Sequence, residues 1–221
     1  MAANFPPNPG ENLKIKLYYA PGACSLASHI ALEEVGIAYE TQRLNLAEGD
    51  QRKPEYLAIN PRGRVPSLVV GGKVLTENLG VMAYVAGGFG QGRIWPKDTW
   101  QQAKCLSTMA WLSNTVHPTY AHIIRTQRYV DEPAAQEAVK AKAKSNYQDC
   151  LQEIDRLLDG RRWSIGERYS VVDGYLLVFY RWGNRAGFPV KSLPNYSRVM
   201  NEVMARAAVK KVMADEGITL D

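Results

Sequence analysis

An α/β domain followed by an all-helical domain is the fold class this 221-residue chain predicts, on three observations. From Lys14 to about Ala86, short alternating apolar runs take turns with helical ones, whereas beyond residue 98 only helical periodicity remains. Between the two rhythms lies Gly87-Gly88-Phe89-Gly90-Gln91-Gly92, with Pro96 soon after, a run expected to break all regular structure. The divisions that follow are a flexible arm over 1–13, the α/β domain over 14–87, a linker over 88–98 and the helical domain over 99–221.

Taken in order, Lys14–Tyr19 is short, apolar and alternating, a strand that stops at Pro21-Gly22. Ser25–Val35 carries Leu26, Ile30 and Leu32, with Gly36 in the C-terminal stop position, and reads as a helix. Tyr39–Leu44 alternates again, which completes a βαβ unit with a right-handed crossover. The polar stretch Ala47–Arg64 holds a short helix around Pro54–Ala58. Ser67–Val70 and Lys73–Leu75 are strands joined by the turn pair Gly71-Gly72, and a helix runs from Glu77 to about Val85. The order β-α-β-α-β-β-α implies a mixed sheet. Helices then cover Thr99–Arg125, Pro133–Leu158, Val171–Arg185 and Tyr196–Ala205. Ser170 and Asp173 bracket the start of the third as a capping box, a folding device with no catalytic content.

A hydrophobic fraction of 46% and a charged fraction of 22% describe a soluble globular protein. The net charge of +5 suits a small acidic substrate. The basic residues are scattered along helices among acidic ones, as at Lys140, Lys142 and Lys144, a solvated face rather than a nucleic-acid patch, so no nucleic-acid partner is expected. No apolar run approaches the ~20 residues that span a bilayer, so no membrane association is expected. Cys24, Cys105 and Cys150 form no CxxC and no ligand-like spacing, which fits a reducing, cytoplasmic setting. The opening MAANFPPNPGEN lacks the apolar core and basic start of a signal peptide. His117 and His122 are five residues apart, the wrong spacing for an i,i+4 metal pair, and no metal is expected.

Three places can carry chemistry. Cys24 follows Pro21-Gly22-Ala23 at the first turn of the first helix, where free N–H groups and the helix dipole would lower a thiol pKa from ~8.5 and attract an anion. A buried, inert cysteine is the alternative; Cys105 and Cys150, inside long helices, read as packing residues. Val65-Pro66 precedes a strand, and its peptide bond is a candidate for the cis form. In that form the backbone of Val65 is free to pair with an extended peptide. Glu77-Asn78 opens a helix, either as a plain cap or as a cradle in which Glu77 holds an ammonium group and Asn78 a carboxylate. Together the three suit a short peptide with a thiol and a zwitterionic end, and glutathione is such a ligand.

The run Leu17-Tyr18-Tyr19-Ala20-Pro21-Gly22-Ala23-Cys24-Ser25-Leu26, with His29, resembles the start of the beta-class bacterial cytosolic glutathione transferases. Asn60-Pro61-Arg62-Gly63-Arg64-Val65-Pro66, Leu75-Thr76-Glu77-Asn78, Thr115-Val116-His117-Pro118 and the segment Trp163–Asp173 are similar to that family's later motifs in order and spacing. The resemblance covers nearly everything after residue 13 and implies a thioredoxin-like domain followed by a helical bundle, and a homodimer. It implies that Cys24 faces the glutathione sulfur and forms a mixed disulfide with it, that Val65 binds the cysteinyl backbone beside the cis-proline Pro66, and that Glu77 and Asn78 hold the γ-glutamyl end. His117 would project towards the sulfur and help activate it; on its own, a lone helical histidine is as readily structural. Tyr19, at the end of the first strand, is a reserve activating hydroxyl. Asn78 replaces the family's usual serine and Pro118 a frequent lysine, so Arg64 is the candidate for the glycyl carboxylate. Tyr120, Ile124 and Trp182 are candidates to line the pocket of a hydrophobic electrophile.

Conjugation of the glutathione thiol is the leading expectation. A monothiol redox cycle, glutaredoxin-like or reducing dehydroascorbate, is the first rival, since Ala27 stands where a resolving cysteine would be. A non-catalytic glutathione-binding protein is the second.

Overall fold

The computed structural model describes residues 13–221, so the expected amino-terminal arm lies almost wholly outside the described residues. Its first half is a four-stranded sheet in the order β2-β1-β3-β4, formed by β1 (Ile15–Tyr19), β2 (Glu40–Arg43), β3 (Ser67–Val70) and β4 (Lys73–Thr76). β1 and β2 are parallel, while β3 runs antiparallel to both β1 and β4, as a βαβ unit followed by a hairpin requires. Alternation along β1 puts Ile15, Leu17 and Tyr19 in the core and leaves Lys16 and Tyr18 on the other face.

The helix α1 (Ser25–Val35) ends at Gly36, which takes the left-handed conformation expected of a helix stop. Nine of its eleven residues are buried because it is covered on several sides, by α3 (Asn78–Phe89) of its own domain and by α7 (Val171–Arg185) and α9 (Ala207–Glu216) of the helical domain. α2 is the short Pro54–Leu57. α3 departs from expectation: it continues through Gly87 and Gly88 to Phe89 and stops only at Gly90. Two helical glycines cost about 2 kcal/mol relative to alanine. The tertiary context outweighs this, because Val85 and Ala86 are fully buried and a Cβ at Gly87 would sit against the Trp95 indole. At Gly90 a Cβ would collide with Ile94 and with the Ala86 carbonyl, so a close approach sets the end of the helix.

The helical half comprises α4 (Thr99–Trp111), α5 (His117–Ile124), α6 (Pro133–Leu157), α7, α8 (Pro194–Ala205) and α9. The single helix expected over 99–125 is interrupted by a π-helical stretch, Leu112–Val116, immediately before His117. Such stretches recur at functional sites. α7 is buried along nearly its whole length and forms the centre of this half. Its capping box is present: Asp173 accepts from the Ser170 N–H and the Ser164 N–H, both at 2.8 Å, and from the Ser170 hydroxyl at 3.0 Å. α9 was not expected from the periodicity. No helix among the described residues is long and apolar enough to cross a membrane.

Candidate active site

Cys24 caps α1 at the seam between the two halves. Its thiol donates to the Val65 carbonyl at 3.5 Å, which joins two of the predicted motifs. The depressed pKa expected there is overturned. Burial pushes the thiol up to about 11, against the opposing pull of the Arg125 charge and of the backbone N–H groups of Cys24 and Ser25. Helix-end donors are present, but desolvation of the sulfur is the larger effect.

The Val65–Pro66 peptide bond is cis. The loop that presents it is pinned from behind by Asn60, which is 2% exposed. Asn60 Nδ2 donates to the Arg64 carbonyl at 2.8 Å, the Tyr56 hydroxyl donates to the same oxygen at 2.6 Å, and both side chains reach Ser67. Among the described residues the Val65 N–H has no acceptor, and its carbonyl takes only the weak thiol contact. An extended peptide could therefore pair here as an added strand. Arg64 extends into solvent beside it.

Glu77 is the only non-glycine residue with positive φ among those described, at 66°. That backbone costs on the order of 1–3 kcal/mol and holds the Glu77 side chain out in solvent, 3.9 Å from Arg62, at the start of α3. The Asn78 side chain is engaged within the protein. Its Nδ2 donates to the Cys24 carbonyl at 3.0 Å, and its Oδ1 accepts a short bond from Ser28. What α3 offers a ligand carboxylate is thus its unpaired backbone N–H groups, while the Asn78 side chain ties the starts of α1 and α3 together.

From the helical half, His117 stands at the first position of α5, its ring 4.9 Å from Trp182 and 6.4 Å from Phe179. Burial, with Arg125 and Arg64 nearby, lowers its pKa to about 4, so the imidazole is neutral at pH 7. Tyr120 and Trp182 stack at 4.7 Å and are both nearly buried, whereas Ile124 is 49% exposed at the surface. They are an aromatic wall and a rim rather than one lining. Tyr19 points its ring at His29, 5.0 Å away, on the side of the sheet that faces α1.

A clamp on the loop before Cys24 was not foreseen. The Gly22 N–H donates to Glu216 of α9 at 2.8 Å, and the Gly22 carbonyl accepts from Trp182 Nε1 at 2.9 Å. Glu216 also lies 2.9 Å from His29 Nδ1 on α1. Gly22 has φ 66°, and any Cβ there would strike the Arg181 guanidinium, so only glycine fits beneath the clamp.

Residues 13–87 match the family described as the glutathione S-transferase N-terminal domain. A glutathione S-transferase of Xanthomonas campestris pv. campestris is 30% identical over 92% of this chain and all of its own length. The chain belongs to the glutathione S-transferase family. A Sulfitobacter transferase homologue, solved with bound glutathione, is 32% identical and superposes with a TM-score of 0.87 over 93% of this chain and 99% of its own. The bacterial beta-class glutathione S-transferase of Sphingomonas chungbukensis is 28% identical, with a TM-score of 0.81 over 92% of this chain and all of its own.

Within this glutathione S-transferase fold, Arg125 and Glu216 are the functional candidates that sequence reading missed. Arg125 ends α5 half-buried, and its charge bears on both Cys24 and His117. Its position eight residues after His117 was the available signal. For Glu216 there was none, since one carboxylate in a polar carboxy-terminal helix looks like any other.

Proposed function

We propose that this family member conjugates the glutathione thiol to hydrophobic electrophiles, with Cys24 facing the glutathione sulfur and able to form a mixed disulfide with it. The observation that carries the reading is the juxtaposition of the Cys24 thiol with the unpaired backbone of Val65 beside cis-Pro66. Paired as an added strand, the cysteinyl residue of glutathione would bring its sulfur to Cys24. The γ-glutamyl end would lie along Glu77 and the start of α3, and the glycyl carboxylate near Arg64. The glutathione thiolate is the nucleophile; it adds to the electrophilic carbon, and the leaving group departs with the bond electrons. His117, neutral, would act as a hydrogen-bond partner of the sulfur rather than as a fixed cation. Tyr120 and Trp182 back the apolar pocket, with Ile124 at its rim. The reading includes a homodimer, for which the exposed Val74, Trp100 and Leu106 supply apolar surface, and a cytoplasmic role in detoxification.

The raised Cys24 pKa supports conjugation over the redox rival, because a thiol held neutral attacks a disulfide too slowly to sustain a turnover cycle, although a single mixed disulfide can still accumulate on incubation. The test is intact-protein mass after incubation with oxidised glutathione, run beside conjugation of an aryl halide, for the wild type and Cys24→Ala. One adduct that disappears in the variant while conjugation persists is the expected result. Negligible conjugation by the wild type, with thiol transfer lost in the variant, would establish a reductase instead. Neither adduct nor turnover would leave a binding protein.

A further inference from the structure

Arg62 and Glu77 bear opposite charges at one end of the sheet, and the strand pairing explains why they meet. Ser67 of β3 pairs with Thr76 of β4, so the loop that enters β3 lies beside the chain that leaves β4 for α3. Arg62 stands in that loop. Its N–H donates at 3.1 Å to Oδ1 of Asn60, the buried side chain that also pins the Arg64 carbonyl. Its guanidinium donates to the Thr76 hydroxyl at 3.1 Å and lies 3.9 Å from the Glu77 carboxylate. Both side chains of the pair are 64% exposed. At that distance the two charges share no hydrogen bond, and an exposed pair of this kind contributes little to stability. Neither charge has another ion-pair partner among the described residues.

We infer that Arg62 is a specificity-determining residue of the γ-glutamyl subsite, where it takes the α-carboxylate while Glu77 takes the α-ammonium. The inward turn of Asn78 leaves a place for it. With the Asn78 amide bonded to the Cys24 carbonyl and to Ser28, that side chain is not available to a ligand carboxylate. The N–H groups of α3 remain, and Arg62 is the cation beside them. One of its N–H groups is spent on Thr76, which leaves the rest of the fork for a ligand oxygen. An amino-acid end carries its ammonium and its carboxylate on one carbon. Side by side, Glu77 and Arg62 match both charges, and neither breaks a hydrogen bond to the other in receiving its partner. The pair therefore reads the zwitterion as a unit and selects against a thiol peptide that lacks either charge. The inference rests on the glutathione reading above and gives the α-carboxylate the side chain that Asn78 does not provide.

The experiment is calorimetric titration of the full chain with three thiol peptides. They are glutathione, glutaryl-cysteinyl-glycine, which lacks the α-ammonium, and γ-aminobutyryl-cysteinyl-glycine, which lacks the α-carboxylate. Arg62→Gln should weaken binding of glutathione and of the glutaryl peptide about tenfold and leave the γ-aminobutyryl peptide unweakened. Glu77→Gln should do the reverse, weakening glutathione and the γ-aminobutyryl peptide but not the glutaryl one. Arg62→Lys, a point charge without the fork, should recover part of the loss, and all the losses should shrink as salt is raised. Melting temperatures should stay at the wild-type value, because the side chain is exposed. Equal weakening of all three peptides by Arg62→Gln would overturn the inference and make the residue a brace for the Val65 loop. Unchanged glutathione affinity in that variant would overturn it as well. A wild type that binds none of the three peptides would instead remove the glutathione reading, and the inference with it.

Discussion

The two halves of the site offer a ligand different kinds of group. The α/β half presents mainly backbone: the N–H and carbonyl of Val65, the N–H groups at the starts of α1 and α3, and a strained main chain at Glu77. The helical half presents side chains, namely His117, Arg125 and Trp182, with Glu216 holding the loop from behind. Backbone groups are the same whatever residue carries them and are positioned by the sheet and helix ends, which suits a ligand of constant structure. Side chains tune charge and polarity and can vary without rebuilding the fold. The seam is therefore where a fixed binding frame meets adjustable chemistry, and α9 holds the two together.

That last point yields the largest expected effect. Glu216→Ala leaves the Gly22 N–H and His29 Nδ1, both buried, without their acceptor, at a cost of about 3 kcal/mol. Thermal melting should drop by roughly 10 °C, and glutathione binding should weaken because the loop before Cys24 loosens. A shift of under ~1 kcal/mol would mean that the halves are held elsewhere.

A smaller effect separates the halves by pH. His117 has a folded pKa of about 4, below its unfolded value, so the stability it contributes is complete above the unfolded pKa near 6.5 and is lost as pH falls through 4. Allowing for its partial exposure, about 2 kcal/mol should disappear across that window. Urea midpoints for the wild type and His117→Asn should converge as pH drops from 7 to 4. Parallel curves would show that the imidazole is not neutral in the folded protein.

The smallest effect lies in the backbone frame. Glu77→Gly removes the carboxylate while relaxing the positive-φ main chain, so stability should rise by about 1 kcal/mol even as KM for glutathione increases. A gain in stability with unchanged KM would remove Glu77 from the γ-glutamyl subsite.

Much of this was legible from local pattern. β1, α1, α6 and α7 match their periodic segments to within a residue or so, because burial on one face or all round leaves a repeat in the sequence. The Ser170–Asp173 box and the cis bond at Val65–Pro66 were legible too, since both depend on residues adjacent in the chain. Gly87-Gly88 misled because helix propensity is a weak preference that packing against Trp95 overrides. The low thiol pKa misled because the helix end is visible in sequence, whereas the burial that outweighs it is not.

Alone, the chain order of polar and apolar residues determined the fold class and the strand order, and the motifs with their family resemblance named the residues proposed for a glutathione site. Only the tertiary structure decided what surrounds those residues. It turned Asn78 inward, brought the Arg125 charge to bear on Cys24, and brought Glu216 back across 194 residues to hold Gly22. Periodicity records how deeply a side chain is buried. Which partner it meets there, and how far that partner shifts its protonation, depends on contacts between segments remote in sequence.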